Sequence, residues 1–316
     1  MNTKIHEYKK TLKDMRKNLL IPFIACLFLF ASCGGGDEKT GDKKKDGEKI
    51  EILNKYTKGE IFYVTLNWDE KVSSTDEKGN QNSTPIVMES IWKYEVLDVD
   101  ENGVSTIKGK YDKMKMGAFD SDDSTTYNDP SAVMMREMMK FEITIKVDTR
   151  GNVLDLTGAE GMYSFGAPDS LLDDNKIMRE NMQNGMGIFP DVPVAVGEKW
   201  EKTVDITYGY PCSYRNVYTL KSADNGIAVI DVNSTMSPLK DVPPTIFPGG
   251  YELYQELSGT QTGTIEIDIE KGKVLKSSYQ VNISGTATGK MAGKEMSKVP
   301  IATDLKLDYT VQLGEN

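Results

Sequence analysis

Leu305-Lys306-Leu307-Asp308-Tyr309-Thr310-Val311-Gln312-Leu313 alternates apolar and polar side chains throughout. In an extended chain successive side chains point to opposite faces. Leu305, Leu307, Tyr309, Val311 and Leu313 therefore read as a buried face, with Lys306, Asp308, Thr310 and Gln312 in water. The same period recurs upstream. Phe141, Ile143, Ile145 and Val147 alternate with Glu142, Thr144, Lys146 and Asp148, and Ile265, Ile267 and Ile269 alternate with Glu266, Asp268 and Glu270. Strands with one wet face belong to antiparallel sheet. Asn102-Gly103, Arg150-Gly151, Asn225-Gly226 and Lys271-Gly272 supply the turns between them. Long helical patterns are scarce, so the chain is predicted to be mainly β.

The pattern occurs twice. Tyr94 to Leu97, the turn at Gly103 and Val104 to Met116 make one hairpin. Tyr218 to Lys221, the turn at Gly226 and Ile227 to Met236 make its counterpart, and each precedes a second hairpin, turning at Gly151 or Gly272. The paired landmarks lie 123 and 121 residues apart, a register close enough to suggest duplication. Gly59 and Gly197 open the copies 138 residues apart, an offset explained by a polar insertion around Lys71 to Pro85. The expected architecture is antiparallel sheet from two β-hairpin-rich repeats, as a curved sheet, half-barrel or sandwich, with one or two short amphipathic helices. The first repeat spans 50–165, a linking helix and loop 166–192, and the second repeat 193–316. The C-terminal strand has no counterpart in the first copy and should close or extend the sheet. One helix starts at Pro130 behind Asp129, with Met134, Met135, Met138 and Met139 on one side. The other follows Pro168, with Ser170 and Asp173 as a capping box, Gly185 as C-cap, and Leu171, Met178 and Met182 facing inward.

Of 316 residues 38% are hydrophobic and 27% charged, ordinary globular composition that excludes collagen-like, disulfide-framework and wholly disordered chains. The first 32 residues read as a signal peptide. Lys4, Lys9, Lys10, Lys13, Arg16 and Lys17 lead into an uncharged run, Leu19 to Ser32, too short to span a bilayer. Met15 followed by Arg16-Lys17 is itself a sufficient start for such a signal, so translation from Met15 is expected to support export. The run ends Phe30-Ala31-Ser32-Cys33, which resembles the lipobox of bacterial lipoproteins, whose cysteine receives fatty acyl chains such as palmitate and becomes the first residue. An ordinary secretory signal is the alternative. Residues 33–49 then form a charged tether without apolar side chains. Cleavage removes six Lys/Arg and two Asp/Glu, moving the formal charge from −10 to −14, which disfavours nucleic acid as a partner. It also removes His6, the single histidine, and Cys26.

The lipobox, the tether, the two hairpin-rich halves and Pro193-Val194-Ala195-Val196-Gly197-Glu198-Lys199-Trp200 together resemble a family of Bacteroidetes lipoproteins of unknown function, over most of the mature chain. The resemblance implies a lipid-anchored outer-membrane protein and attaches no activity. Asp37-Glu38, just after the lipidated cysteine, resembles the signal that sends such lipoproteins to the cell surface, so the expected location is surface-exposed or periplasm-facing. Asp123-Ser124-Thr125 and Asp169-Ser170-Leu171 resemble the short O-glycosylation motif of the same bacteria, with Ser124 the better candidate because Ser170 is wanted as a cap. The duplicated β-rich pattern is also similar to curved-sheet carriers of lipids and lipoproteins, a likeness of architecture alone.

Without histidine the mature chain has no Ser-His-Asp or Cys-His pair and no imidazole zinc site. Cys212 reads as a structural thiol. No Gly-rich phosphate loop follows a strand, so no cofactor is expected. Asp98, Asp100, Asn102 and Gly103 match the start of a calcium loop, but its twelfth position is Gly109, so a hairpin turn is preferred. Asp120, Asp122, Asp123 and Asp129 read as a solvated loop rather than a metal site. The expected function is a non-catalytic binding or envelope-interaction module. The alternative is a carrier or sensor of an apolar ligand held between sheet and helix by Met134, Met135, Met138 and Met139. A carboxylate-based hydrolase would need two facing carboxylates that the sequence does not single out.

Overall fold

Asn225 and Gly226 both take positive φ, +54° and +78°. This is the two-residue turn whose twist matches that of the strands it joins. It connects β8 (Cys212–Asp224) to β9 (Ile227–Pro238), and hairpins build the rest of the molecule. The computed structural model describes residues 47–75, 79–117, 119–123, 130–162, 173–240, 242–247 and 250–314. The other strands are β1 (Ile61–Thr75), β2 (Gln81–Val99), β3 (Ser105–Met116), β4 (Phe119–Asp120), β5 (Glu142–Val147), β6 (Val153–Thr157), β7 (Lys199–Ile206), β10 (Thr245–Phe247), β11 (Tyr251–Asp268), β12 (Lys273–Met291) and β13 (Lys294–Leu313). Two helices, α1 (Pro130–Met138) and α2 (Asp174–Met186), complete the described elements.

One open antiparallel sheet contains all the strands, in the order β6-β5-β3-β2-β1-β13-β12-β11-β9-β8-β7, with β4 and β10 paired at its side. The strands β1-β2-β3-β5-β6 and β7-β8-β9-β11-β12 pair consecutively in the same way. The C-terminal strand β13 sits between β1 and β12 and joins the two series. Its Leu307 lies opposite Trp68 on one side and Tyr279 on the other. The strand therefore extends the sheet, and it does so from the centre.

The inner face of the curled sheet is loaded with large apolar side chains. Phe62, Val64, Leu66, Trp68 and Val72 are buried on β1, and Met88, Trp92, Tyr94 and Val96 on β2. Tyr94 lies in register with Gly109, where a Cβ would stand 2.3 Å from the tyrosine ring. Only glycine leaves that ring its place. The two edge strands of the curled sheet, β6 and β7, both pack on α2. Val153 N–H donates to Gln183 and Ala159 N–H to Asn175 on one side, and Thr207 donates through its amide and its hydroxyl to Glu180 on the other. Covering the edges in this way removes the templates on which other chains would pair.

The segment before β1 seals one end. Ile50 exchanges backbone hydrogen bonds with Val194, Asn54 N–H reaches Thr149 and Lys55 N–H reaches Gly272. Three separate parts of the chain are thus tied to the segment that leads into β1. Lys273 and Glu60 form a nearly buried ion pair at 2.5 Å beside it, with the ammonium 4.2 Å from the Tyr56 ring centroid.

Three details differ from the sequence expectation. Leu305, Leu307 and Tyr309 are buried as predicted, but Val311 is half-buried and Leu313 is 40% exposed. These two sit at the rim, where the cover over Phe62 comes from Tyr56, stacked at 5.7 Å. The α2 helix is capped by Asp173, which accepts from Lys176 N–H, and it ends at Gly187 with Gly185 inside it. Met186 is buried, and keeping it on the inner face carries the helix past Gly185. Ser170 and Leu171 lie outside the described residues. The Lys71 to Pro85 stretch prolongs the β1–β2 hairpin, in register from Lys71↔Pro85 to Thr75↔Gln81.

Candidate functional site

Cys33 and Ser124 lie outside the described residues. Met135 and Met138 are buried in the main core, Met139 packs partly against it, and the Met134 side chain is outside the described set. Arg136 lies 5.5 Å from the Phe119 ring centroid, which fixes α1 to the sheet. Cys212 is fully buried, its thiol donates to Leu257 O at 3.3 Å, and burial pushes its pKa up to about 12. A thiol so placed is an inert core group. Asp100 accepts from Asn102 and Val104 N–H and closes the predicted turn. Asp120 and Asp122 pair with Lys115 and Lys113 in solvent, and among the described residues no acidic, histidine or cysteine side chains group as metal ligands.

Sequence reading missed a buried carboxylate. Glu70 lies on the inner face of β1 with no exposed surface. Its oxygens accept from Trp68 Nε1 at 3.0 Å and Tyr210 OH at 2.5 Å, and Tyr210 OH also lies 3.0 Å from Thr303 Oγ1. Burial raises the Glu70 pKa and the two donors partly offset this. Tyr210 is pushed up as well, by burial first and then by the neighbouring carboxylate. The group pins the β7–β8 connection to the centre of the sheet.

A second polar region lies beneath α2. Asn216 Nδ2 donates to Asn184 Oδ1 at 2.9 Å, while Asn216 Oδ1, Asn181 Oδ1, Ser234 Oγ and Tyr309 OH are buried without a protein partner. Beside them is a cavity lined by Asn184, Tyr218, Gln261, Ser277, Tyr279 and Tyr309. About 20 Å³ of it is open to the centre of a water molecule, room for roughly one water and none for an acyl chain.

A second concavity among the described residues is on the solvent side. Across β1, β13, β12 and β11 the register aligns Lys71, Asp304, Asn282 and Thr260 in one outward row, and Ser73, Ala302 and Ser284 in the next. The second row has only short side chains, so the surface dips there into an open trough of about 540 Å³. That volume falls in the range of small-molecule sites. Lys71 and Asp304 face each other in register, and Asp304 also accepts from Gln280 Nε2. Asp304 is the single carboxylate lining the trough. The signal for this surface was in the sequence: between the charged positions Glu256 and Glu266 on β11 and Lys276 and Lys290 on β12, the outward residues Ser258, Thr260, Thr262 and Thr264 and Ser278, Gln280, Asn282, Ser284 and Thr286 are all uncharged and polar.

Residues 169–274 match DUF6263, a family of unknown function. The DUF6263 match runs from α2 through β11, the helix that clasps the sheet together with most of the second series of strands. No curated protein matches the chain. Among solved structures, one of lipid–protein interactions in lipovitellin is similar at 10% identity and a TM-score of 0.44, over 83% of this chain and 26% of that one. This chain thus spans about a quarter of the lipovitellin chain. DynF from the dynemicin pathway of Micromonospora chersina is similar at 8% identity and a TM-score of 0.23, over 90% of this chain and 95% of that one. An outer membrane channel from Pseudomonas putida F1 also has 8% identity and a TM-score of 0.23, over 86% of this chain and 100% of that one. At these scores no property of those proteins carries over.

Proposed function

We propose that this is an outer-membrane lipoprotein anchored through acylated Cys33, and that its folded part is a non-catalytic binding module acting through the trough. The observation that carries the reading is the contrast between two concavities among the described residues. The interior cavity takes about one water, whereas the trough offers about 540 Å³ to solvent. A carrier of apolar ligands needs the reverse. Glycoside hydrolysis needs two facing carboxylates, and the trough has one.

The end at which the described chain begins and the trough are well separated. The described chain enters at the sealed end beside Phe62, and Ser73 lies eleven residues further along β1, about 36 Å at the rise of a strand. Lipidation at Cys33 would therefore tether the folded part by the end opposite the trough, leaving the trough open to solvent. Labelling with an alkyne fatty acid should mark the wild type and not Cys33→Ala. An unlabelled wild type would remove the anchor from this reading. Trough-blocking variants, described next, test the binding half.

A further inference from the structure

We infer that the trough takes an uncharged, hydroxyl-rich chain, an oligosaccharide, as its ligand. This deepens the proposed function and rests on the trough being the binding surface. The lining sets the chemistry. Ser73, Thr260 and Ser284 present hydroxyls that both donate and accept, Asn282 presents both halves of an amide, and Lys71 and Asp304 add one donor and one acceptor group of opposite charge. Because the two charges face each other in register, the trough is neutral. A polyanion would meet Asp304 and the overall negative charge of the chain. An acyl chain would leave these polar groups desolvated and unpaired. A sugar chain satisfies them, because its hydroxyls also donate and accept.

The shape agrees with a chain-like ligand. The trough crosses four strands and is open to solvent, and the outward hydroxyl and amide rows continue beside it through Thr262, Gln280 and Ser278. No aromatic ring lines it, so each sugar is held by hydrogen bonds that replace those to water, and single contacts gain little. Binding should therefore be weak for one copy, in the range of about 10 μM to 1 mM. Many copies anchored in one membrane would strengthen it through effective concentration.

The test uses the full mature lipoprotein in lipid nanodiscs, applied to an array of short neutral oligosaccharides, acidic oligosaccharides and unrelated peptides. Ser284→Trp and Thr260→Trp fill the trough from exposed positions. Lys110→Trp does the same to an exposed position on β3 as a control, and thermal melts check that all three fold. We expect retention on neutral oligosaccharides, a loss of about tenfold or more in both trough variants, and no loss in Lys110→Trp. Absence of binding to every neutral oligosaccharide would overturn the inference, as would equal binding of acidic ones. If an acidic sugar or a peptide binds instead and the trough variants abolish it, the binding-module reading survives with the wrong ligand class. If all three variants behave like wild type toward every bound probe, the trough is not the site and both readings fall.

Discussion

The two series of strands pair in the same order yet are finished differently on both faces. Inside, β1 to β3 carry Phe62, Trp68, Trp92, Tyr94 and Tyr111, with Trp92 and Tyr111 only 3.8 Å apart between ring centroids. The facing part of the second series places Asn216, Ser234 and Gln261 side by side on β8, β9 and β11. Outside, β2, β3 and β5 carry Glu89, Lys93, Glu95, Lys108, Lys110, Lys113, Lys115 and Glu142, ordinary solubilising charge. The middle of β11 and β12 replaces outward charge with hydroxyl and amide groups, from Ser258 to Thr264 and from Ser278 to Thr286. A shared strand order thus supports an aromatic wall with a charged exterior in one half and a partly polar interior in the other, with the trough spanning the seam between them on β1, β13, β12 and β11. Pairing sets the frame, and the side chains at alternate positions set the use.

The largest effect should come where the halves meet. Leu307 is buried between Trp68 and Tyr279. Leu307→Asp places an unpaired charge there at a cost of several kcal/mol, a large share of the stability of a domain. Thermal melting should show it unfolded or strongly destabilised. Lys306→Asp on the wet face loses an exposed pair with Asp308 and should shift the midpoint little. Equal midpoints for the two would mean that the alternation of β13 does not divide core from solvent.

That alternation was legible because a period of two is a local property, and so were the turns, where Asn-Gly pairs meet a backbone requirement. Alternation also located the inner faces of β5 and β11. The union of both halves in one sheet was not legible, since β13 could pair with either neighbour and nothing local to Leu305–Leu313 names β1. Glu70 escaped for the same reason. Its donor Tyr210 is 140 residues away, and in sequence it is one of many acids. The trough was half visible: the uncharged rows could be read, but their alignment across four strands depends on register.

A second contrast concerns what the interiors tolerate. Trp92→Ala removes a fully buried ring from the aromatic wall and should cost about 3–5 kcal/mol. In the polar interior the cost depends on partners. Asn184→Leu leaves Asn216 Nδ2 buried without its acceptor, which should cost about 1–3 kcal/mol. The double variant with Asn216→Leu removes both polar groups at once and should recover most of that loss, because the second substitution deletes the orphan it would otherwise leave. Denaturant midpoints of the two single variants and the double give the coupling. Simple additivity would show that the two amides do not act as a pair.

The smallest effect should appear as a slope. Glu70 has its pKa raised in the fold, chiefly by burial, above the ordinary glutamate value of about 4.3. Between the unfolded and the folded pKa the native state therefore holds a proton that the unfolded chain releases. The stability that Glu70 contributes is full below the unfolded pKa and is lost as pH rises through the folded one. Glu70→Gln cannot ionise, yet its side-chain oxygen can still accept from Trp68 Nε1 or Tyr210 OH. Compared with wild type, the variant should gain stability as pH rises above the unfolded glutamate value of about 4.3. Exposed carboxylates with lowered pKa values, such as Asp98 and Asp120, act in the opposite direction. They are common to both proteins, so the difference between the two denaturation curves isolates Glu70. A constant difference as pH rises would mean that the carboxylate titrates as freely in the fold as in the unfolded chain, and the contact with Tyr210 would then be an ordinary solvated hydrogen bond rather than a buried pin between the halves.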